Sequence, residues 1–228
     1  MLVPEHFDHL VIAVPDLGRG VEQFAENLGV RAVPGGSHPG LGTANALLGL
    51  TLERERGVPG SAPRRIYLEI IGPDPKQDPR LAAARLAGIT EPTVQRWAIR
   101  PHDFDDVVAA ARAAGTEAGA AAPHVDLGEV HDMTRRTPDG AVLEWRLTRR
   151  TPLALGGIQP FLIDWKDSPH PAERTMPTVV LEAFWASTPR VTETRSALSS
   201  LNATIEVETG DAESLHATLK GPGGSWTI

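Results

Sequence analysis

The side chains best suited to act on a small molecule fall in three short stretches. His9 opens the apolar run Leu10-Val-Ile-Ala-Val14, and Glu69 lies inside Tyr67-Leu-Glu-Ile-Ile71. His38, Thr43 and Asn45 belong to Gly35-Gly-Ser-His-Pro-Gly-Leu-Gly-Thr-Ala-Asn45, which packs four glycines and a proline into eleven residues. An imidazole can move a proton, hydrogen-bond or bind a metal. A carboxylate within an apolar strand is costly unless it is paired or ligating, which favours a functional role for Glu69 over a purely structural one. His9 suits either a ligand or a hydrogen-bonded core histidine. The chain has no cysteine, so disulfides, thiolate nucleophiles and Cys-ligated zinc are excluded, and His, Asp and Glu remain as strong metal ligands. No Gly-rich loop precedes a Lys-Ser/Thr pair, and no Gly-x-Ser-x-Gly elbow occurs.

These residues need strands to hold them. Phe7 to Val14 reads as a strand, followed by a helix over Leu17 to Leu28 with Asp16 as N-cap and Gly29 as its stop. Val30 to Val33 reads as a short strand, and Gly35 to Asn45 as a tight loop feeding a strand, with His38 at its mouth. Glu53 to Gly60 reads as an exposed connection and Ile66 to Ile71 as a strand ended by Gly72-Pro73. A linker, 74–92, holds a short helix around Arg80 to Ala87. The order then repeats: a strand from Val94 to Arg100, a helix from Phe104 to Ala114 stopped by Gly115, strands around Glu117–Ala118 and Gly128–Thr134, a Thr137-Pro-Asp-Gly140 turn, and a closing strand from Ala141 to Leu147. A third round follows the connector 151–177: strand Thr178–Ala186, helix Val191–Leu201, strands Ala203–Glu208 and Ser214–Leu219, and a Gly221-Pro-Gly-Gly224 turn into Ser225-Trp-Thr-Ile228. The expected class is α+β, with paired βαβββ units over 1–150, a connector over 151–177 and a third, partial βαβββ unit over 178–228.

The 228 residues can bury about 70–75% of the surface of the unfolded chain. With 22 Lys and Arg against 29 Asp and Glu the net charge is −7, which disfavours a nucleic-acid surface. Arg135-Arg136 and Arg149-Arg150 read as solvated strand ends rather than a phosphate site. The run Leu10 to Val14 is too short for a signal or a membrane span, so a cytoplasmic protein without membrane contact is expected.

Together the segments around His9, Gly35–Asn45 and Tyr67–Pro73, with Ile163-Asp-Trp165 and His170-Pro171, resemble the glyoxalase-like domain family of the vicinal oxygen chelate superfamily. The resemblance implies two βαβββ units whose curled sheets form a cup, with metal ligands on the first and last strands of each. Carried onto this chain it gives His9, Glu69 and, through Asp139-Gly-x-x-x-Glu144, Glu144. The remaining position falls on Gln95 or Arg96, where many relatives have a histidine; that absence argues against extradiol oxygen chemistry. A neutral imidazole and two carboxylates suit Zn, Mn, Ni, Fe or Mg with open positions for substrate oxygens. The implied activity is a lyase or isomerase in which the metal chelates vicinal oxygens and Glu69 or Glu144 serves as general base.

Other readings stay open. Glu144, beside Trp145 and Arg146, suits an outer-face ion pair as well as a metal bond. Trp97, Trp145 and Trp165 are core or cup-wall residues, of which Trp97 and Trp165 are counted as substrate-binding candidates with His38, Thr43, Asn45 and Arg96. His102, His124, His131 and His170 lie near loops, and at most one is expected at the site. The alternative function is a metal-free binding protein that holds a small anionic molecule through Arg96, His38 and Asn45. The third unit is expected to pack over the first two or to pair with its copy in a homodimer.

Overall fold

The computed structural model describes residues 2–53, 64–83, 85–117, 125–137 and 140–228. The first unit consists of β1 (Phe7–Ala13), α1 (Leu17–Leu28), β2 (Val33–His38), β3 (Thr43–Leu52) and β4 (Ile66–Pro73). A short helix α2 (Pro79–Ala83) leads to the second: β5 (Thr93–Ile99), α3 (Phe104–Glu117), β6 (Glu129–Arg136), β7 (Val142–Arg149) and β8 (Phe161–Asp164). The third contains β9 (Thr178–Thr188), α4 (Val191–Ser200), β10 (Glu206–Thr209), β11 (Ser214–Gly221) and β12 (Gly224–Thr227). Among the described residues no helix is long and apolar enough to cross a membrane.

Local chemistry accounts for much of this order. The Asp16 side chain accepts the Arg19 N–H at 2.8 Å and opens α1, and Gly29 closes it with φ 71°. Helix α3 runs past Gly115 to Glu117, so no strand begins at Glu117; Ala118 and His124 lie outside the described residues, as do Arg54 to Pro63 and Pro138–Asp139. Val33 opens a strand that continues through Gly35 and Gly36 to His38, which pairs with Thr43. The stretch read as a loop is thus a β-hairpin turning at residues 39–42.

The strands form one curled sheet in the order β12-β11-β9-β3-β4-β1-β5-β8-β7-β6, with β2 beside β3 and β10 beside β9. In the first unit β1 runs parallel to the last strand, β4 (Val11 opposite Glu69). In the second, β5 runs parallel to β8 (Ala98 opposite Phe161). The closing strand of the second unit is therefore β8, inside the stretch expected to be a connector, and β7 is its antiparallel neighbour. Strands β1 and β5 join the units antiparallel, with Val11 opposite Arg96 and His9 opposite Ala98. The third unit keeps the element order but not the pairing, since β9 is flanked by β10 and β11. It joins by adding β9 parallel to β3 at Gly49–Leu52.

Alternation divides the sheet into two faces. Leu10, Ile12, Leu48, Leu68, Ile70, Trp97 and Leu162 fill a main core that also takes Phe24 of α1 and Phe184, Leu215 and Leu219 of the third unit. The opposite face carries Leu47, Tyr67, Leu143, Trp145, Ile163 and Trp165, with Val11, Ala13 and Ile71 beside them. That second face lines the cup.

Candidate functional site

The cup floor holds a cavity of about 40 Å³ whose lining includes His9, His38, Asn45, Tyr67, Glu69, Arg85, Arg96, Arg135, Phe161 and Trp165. That volume admits about two or three waters or the head group of a small molecule. Strict alternation would put Asp8 and His9 on opposite faces. A β-bulge prevents this: Phe7 pairs with Ile99 and His9 with the very next residue, Ala98. Asp8 and His9 are then close enough for a 2.6 Å bond between Oδ1 and Nδ1. Oδ2 of Asp8 accepts from His170 Nε2 at 3.0 Å and from Trp165 Nε1 at 3.3 Å, and Arg100 Nε lies 3.6 Å away. Burial pushes the Asp8 carboxyl up, but the bonds and charges of His170 and His9 outweigh it and hold the group well below the usual carboxylate range. In neutral His9 the proton therefore sits on Nδ1, and Nε2 keeps a free lone pair 3.7 Å from Glu69 Oε2.

Glu69 is fixed from the first unit's hairpin. Asn45 donates Nδ2–H to Glu69 Oε1 at 2.6 Å and accepts from Arg135 Nη1 at 2.9 Å. Gly35 makes room for this amide, because a Cβ there would lie 2.2 Å from Asn45 Oδ1. Burial raises the Glu69 pKa, but the His38 and His9 charges, the Asn45 bond and Arg96 bring it down to about 2. His38 bonds Thr43 Oγ1 through Nδ1 at 3.0 Å and turns Nε2 towards Glu69 Oε1 at 3.8 Å. Burial lowers its pKa to about 4, against the opposing pull of Glu69. At neutral pH Glu69 is ionised and His38 is a neutral acceptor.

Three guanidiniums line this cavity together with one carboxylate, Glu69. Arg96 reaches it from β5 and lies over the Phe161 ring, 5.2 Å from its centroid. Arg135 comes from β6 and Arg85 from the segment after α2. Nε of each is buried without a hydrogen-bond partner. Burial lowers the pKa of all three, that of Arg96 to about 9, with the neighbouring charge of Arg85 its second cause. The cavity lining thus sets three arginines against a single carboxylate.

The expected residues divide accordingly. His9, His38, Asn45, Glu69, Arg96 and Trp165 meet at the cavity, while Thr43 stands behind His38. Glu144 does not reach it: Leu143 and Trp145 face the cup, so the period of two turns Glu144 to solvent. Trp97 is in the main core, stacked on Phe7 with its Nε1–H on the Ile158 carbonyl. Arg135, expected at a solvated strand end, is only 4% exposed. Asp8, Tyr67, Arg85, Phe161 and the loop histidine His170 complete the surroundings.

A divalent metal is a poor fit to these donors. No group of three His, Cys, Asp or Glu able to hold an ion occurs among the described residues. Because Val11 pairs with Glu69 and with Arg96, while Ala98 pairs with His9 and with Phe161, unit two places Arg96 and Phe161 where unit one places His9 and Glu69. A guanidinium and a phenyl ring thus occupy the two ligand positions of the second unit, and the guanidinium repels a cation.

No curated protein matches the chain in sequence. A hypothetical protein from Staphylococcus aureus shares the fold with a TM-score of 0.58 at 16% identity, over 97% of this chain and 84% of that one. The methylmalonyl-CoA epimerase of Mycobacterium tuberculosis aligns at 23% identity over 76% of this chain and 97% of that one, with a TM-score of 0.41. A Streptomyces coelicolor methylmalonyl-CoA epimerase in complex with 2-nitronate-propionyl-CoA gives 22% identity over 70% and 96%, with a TM-score of 0.45. The family model of the glyoxalase-like domain matches residues 7–202, most of the length and both cup-forming units, and the chain belongs to that family.

Proposed function

We propose that the cup binds a small carboxylic acid without a metal and moves a proton at the carbon next to its carboxylate or carbonyl, an isomerase- or lyase-type activity. The observation that carries the reading is the Asp8–His9 pair, which points a free Nε2 into a cavity lined by three guanidiniums with orphaned Nε atoms. Arg96 and Arg135 hold the anionic oxygens and stabilise the charge that develops as an enolate forms. His9 Nε2 takes the proton, and Asp8 keeps the imidazole in the required tautomer and stabilises the imidazolium. Glu69, whose pKa of about 2 makes it a weak base, serves to position Asn45 and to balance charge.

The test is exchange of the α-proton of a panel of 2-oxo- and 2-methyl-substituted carboxylic acids in D2O, followed by NMR on protein whose metal content has been assayed. Wild type is expected to catalyse exchange on at least one acid with or without chelator, and His9→Ala to abolish it. Exchange that disappears with chelator and returns with a divalent ion would reject the metal-free reading. Saturable binding with no exchange would instead favour the sequestration protein, a reading supported by the three arginines that line the cavity.

A further inference from the structure

The inner cavity, about 40 Å³, has room for no more than a small head group, and its lining leads outward. Arg85 and Arg96 line both this 40 Å³ space and a second cleft of about 550 Å³. The cleft lies where the start of β5, the segment after β7 and residues 213–215 of the third unit meet, and its volume is that of a small-molecule site. Its wall includes Leu41, Leu81, Ile89, Val94, Leu153 and Leu215. Leu81 is 46% exposed, one of three large hydrophobic side chains that are exposed among the described residues. Of the five charged side chains on the wall two are matched, Arg150 by Asp126 and Glu213 by Arg190, and Arg149 adds its charge to those of Arg85 and Arg96. Arg85 and Arg96 repel each other and keep unpartnered Nε atoms at the junction.

We infer that the ligand is an amphipathic carboxylate: its anionic head passes between Arg85 and Arg96 into the inner cavity, and its apolar body lies in the outer cleft against Leu81, Ile89 and Leu215. The inference rests on the reading of the inner cavity as an anion site and adds the chemical class of what it binds. Charge complementarity fixes the direction. A purely apolar guest leaves the two guanidiniums unmatched, and a short acid leaves the leucine-lined cleft wet.

Isothermal titration with straight-chain carboxylates from acetate to decanoate tests it. Affinity is expected to rise up to about fourfold per added methylene once the chain reaches the cleft. Leu81→Asn, a neutral polar change at an exposed position, is expected to flatten that rise and to leave in place the binding of acetate, which is too short to reach the cleft. Arg96→Met is expected to weaken every member of the series, and the alcohols of equal length to bind at least tenfold more weakly than the acids. An affinity that does not depend on chain length, or one whose length dependence is unchanged in Leu81→Asn, overturns the inference while acetate binding leaves the inner anion site standing. Length-dependent binding without any α-proton exchange supports the inference and rejects only the proton-transfer reading. No binding by any carboxylate overturns both.

Discussion

At the scale of single residues the site depends on Asp8, an acid with no solvent contact and three donors. Its Oδ1 holds His9, and its Oδ2 holds His170 and Trp165. In Asp8→Asn an amide replaces an oxygen that only accepts, so one of these donors faces an N–H, or the His9 ring turns to its other tautomer with Nε2 protonated. The proposed exchange activity is expected to fall on the order of 10²-fold or more. Carboxylate affinity, set by the arginines, should change little. Rates and binding constants measured on the same preparation check this, and a variant with full exchange activity would remove Asp8 from the proposed mechanism. His9 and Glu69 were legible because polar groups in apolar strands demand a partner. Arg135 was not, because a strand-end arginine pair looks the same in sequence whether it is solvated or folded across a cup.

Element geometry explains most of what the sequence concealed. The bulge at Asp8 leaves no local mark, so a strict period of two hides the Asp8–His9 pair. Strand β8, of only four residues, is specified by its parallel pairing with β5 and not by its own pattern, and it lies beyond a connector-like Thr-Pro start. The Asp139-Gly-x-x-x-Glu144 spacing points to β7 as the closing strand, whereas the parallel partner of β5 is β8, which brings Phe161 and not Glu144 to the cup. The Gly-rich stretch was legible as special, though its form is a hairpin and its glycines serve the packing. Gly35 shows this best, since its missing Cβ is the space that Asn45 Oδ1 occupies. Gly35→Ala is expected to displace Asn45, break both the Arg135 and Glu69 bonds, and cost about 1–3 kcal/mol. Urea unfolding reads the cost and carboxylate titration the site. A variant with unchanged stability and affinity would show that Asn45 has an alternative position, and that Gly35 does not set it.

Across the whole molecule, one curled sheet separates a dry core from a charged cup, and the third unit serves both. It extends the sheet through β9 and covers the core face with Phe184, which meets Phe7 and Trp97 edge-on at 6.0 and 5.4 Å. The buried cup groups make stability depend on pH in two adjoining windows. The His38 pKa falls from 6.5 to about 4 on folding, so between those values the unfolded chain binds more protons and acid favours unfolding. This loss begins as pH drops below about 6.5 and is complete near 4, on the order of 3 kcal/mol at most. Glu69, lowered from 4.5 to about 2, contributes stability that is present above 4.5 and lost as pH falls towards 2, with buried Asp8 acting in the same direction. His6 is also lowered by burial and adds to the upper window, so the wild-type slope alone does not isolate His38. The difference between wild type and His38→Asn does. Urea midpoints between pH 8 and 3 should show a steady decline below about 6.5 in wild type and a shallower one between 6.5 and 4 in His38→Asn. Below 4 the variant should again fall less steeply, because Glu69 has lost the His38 charge that helps hold its pKa down, while Asp8 keeps its partners His9 and His170. Equal slopes between 6.5 and 4 would mean that His38 is protonated in the folded cup and already carries a charge beside Glu69.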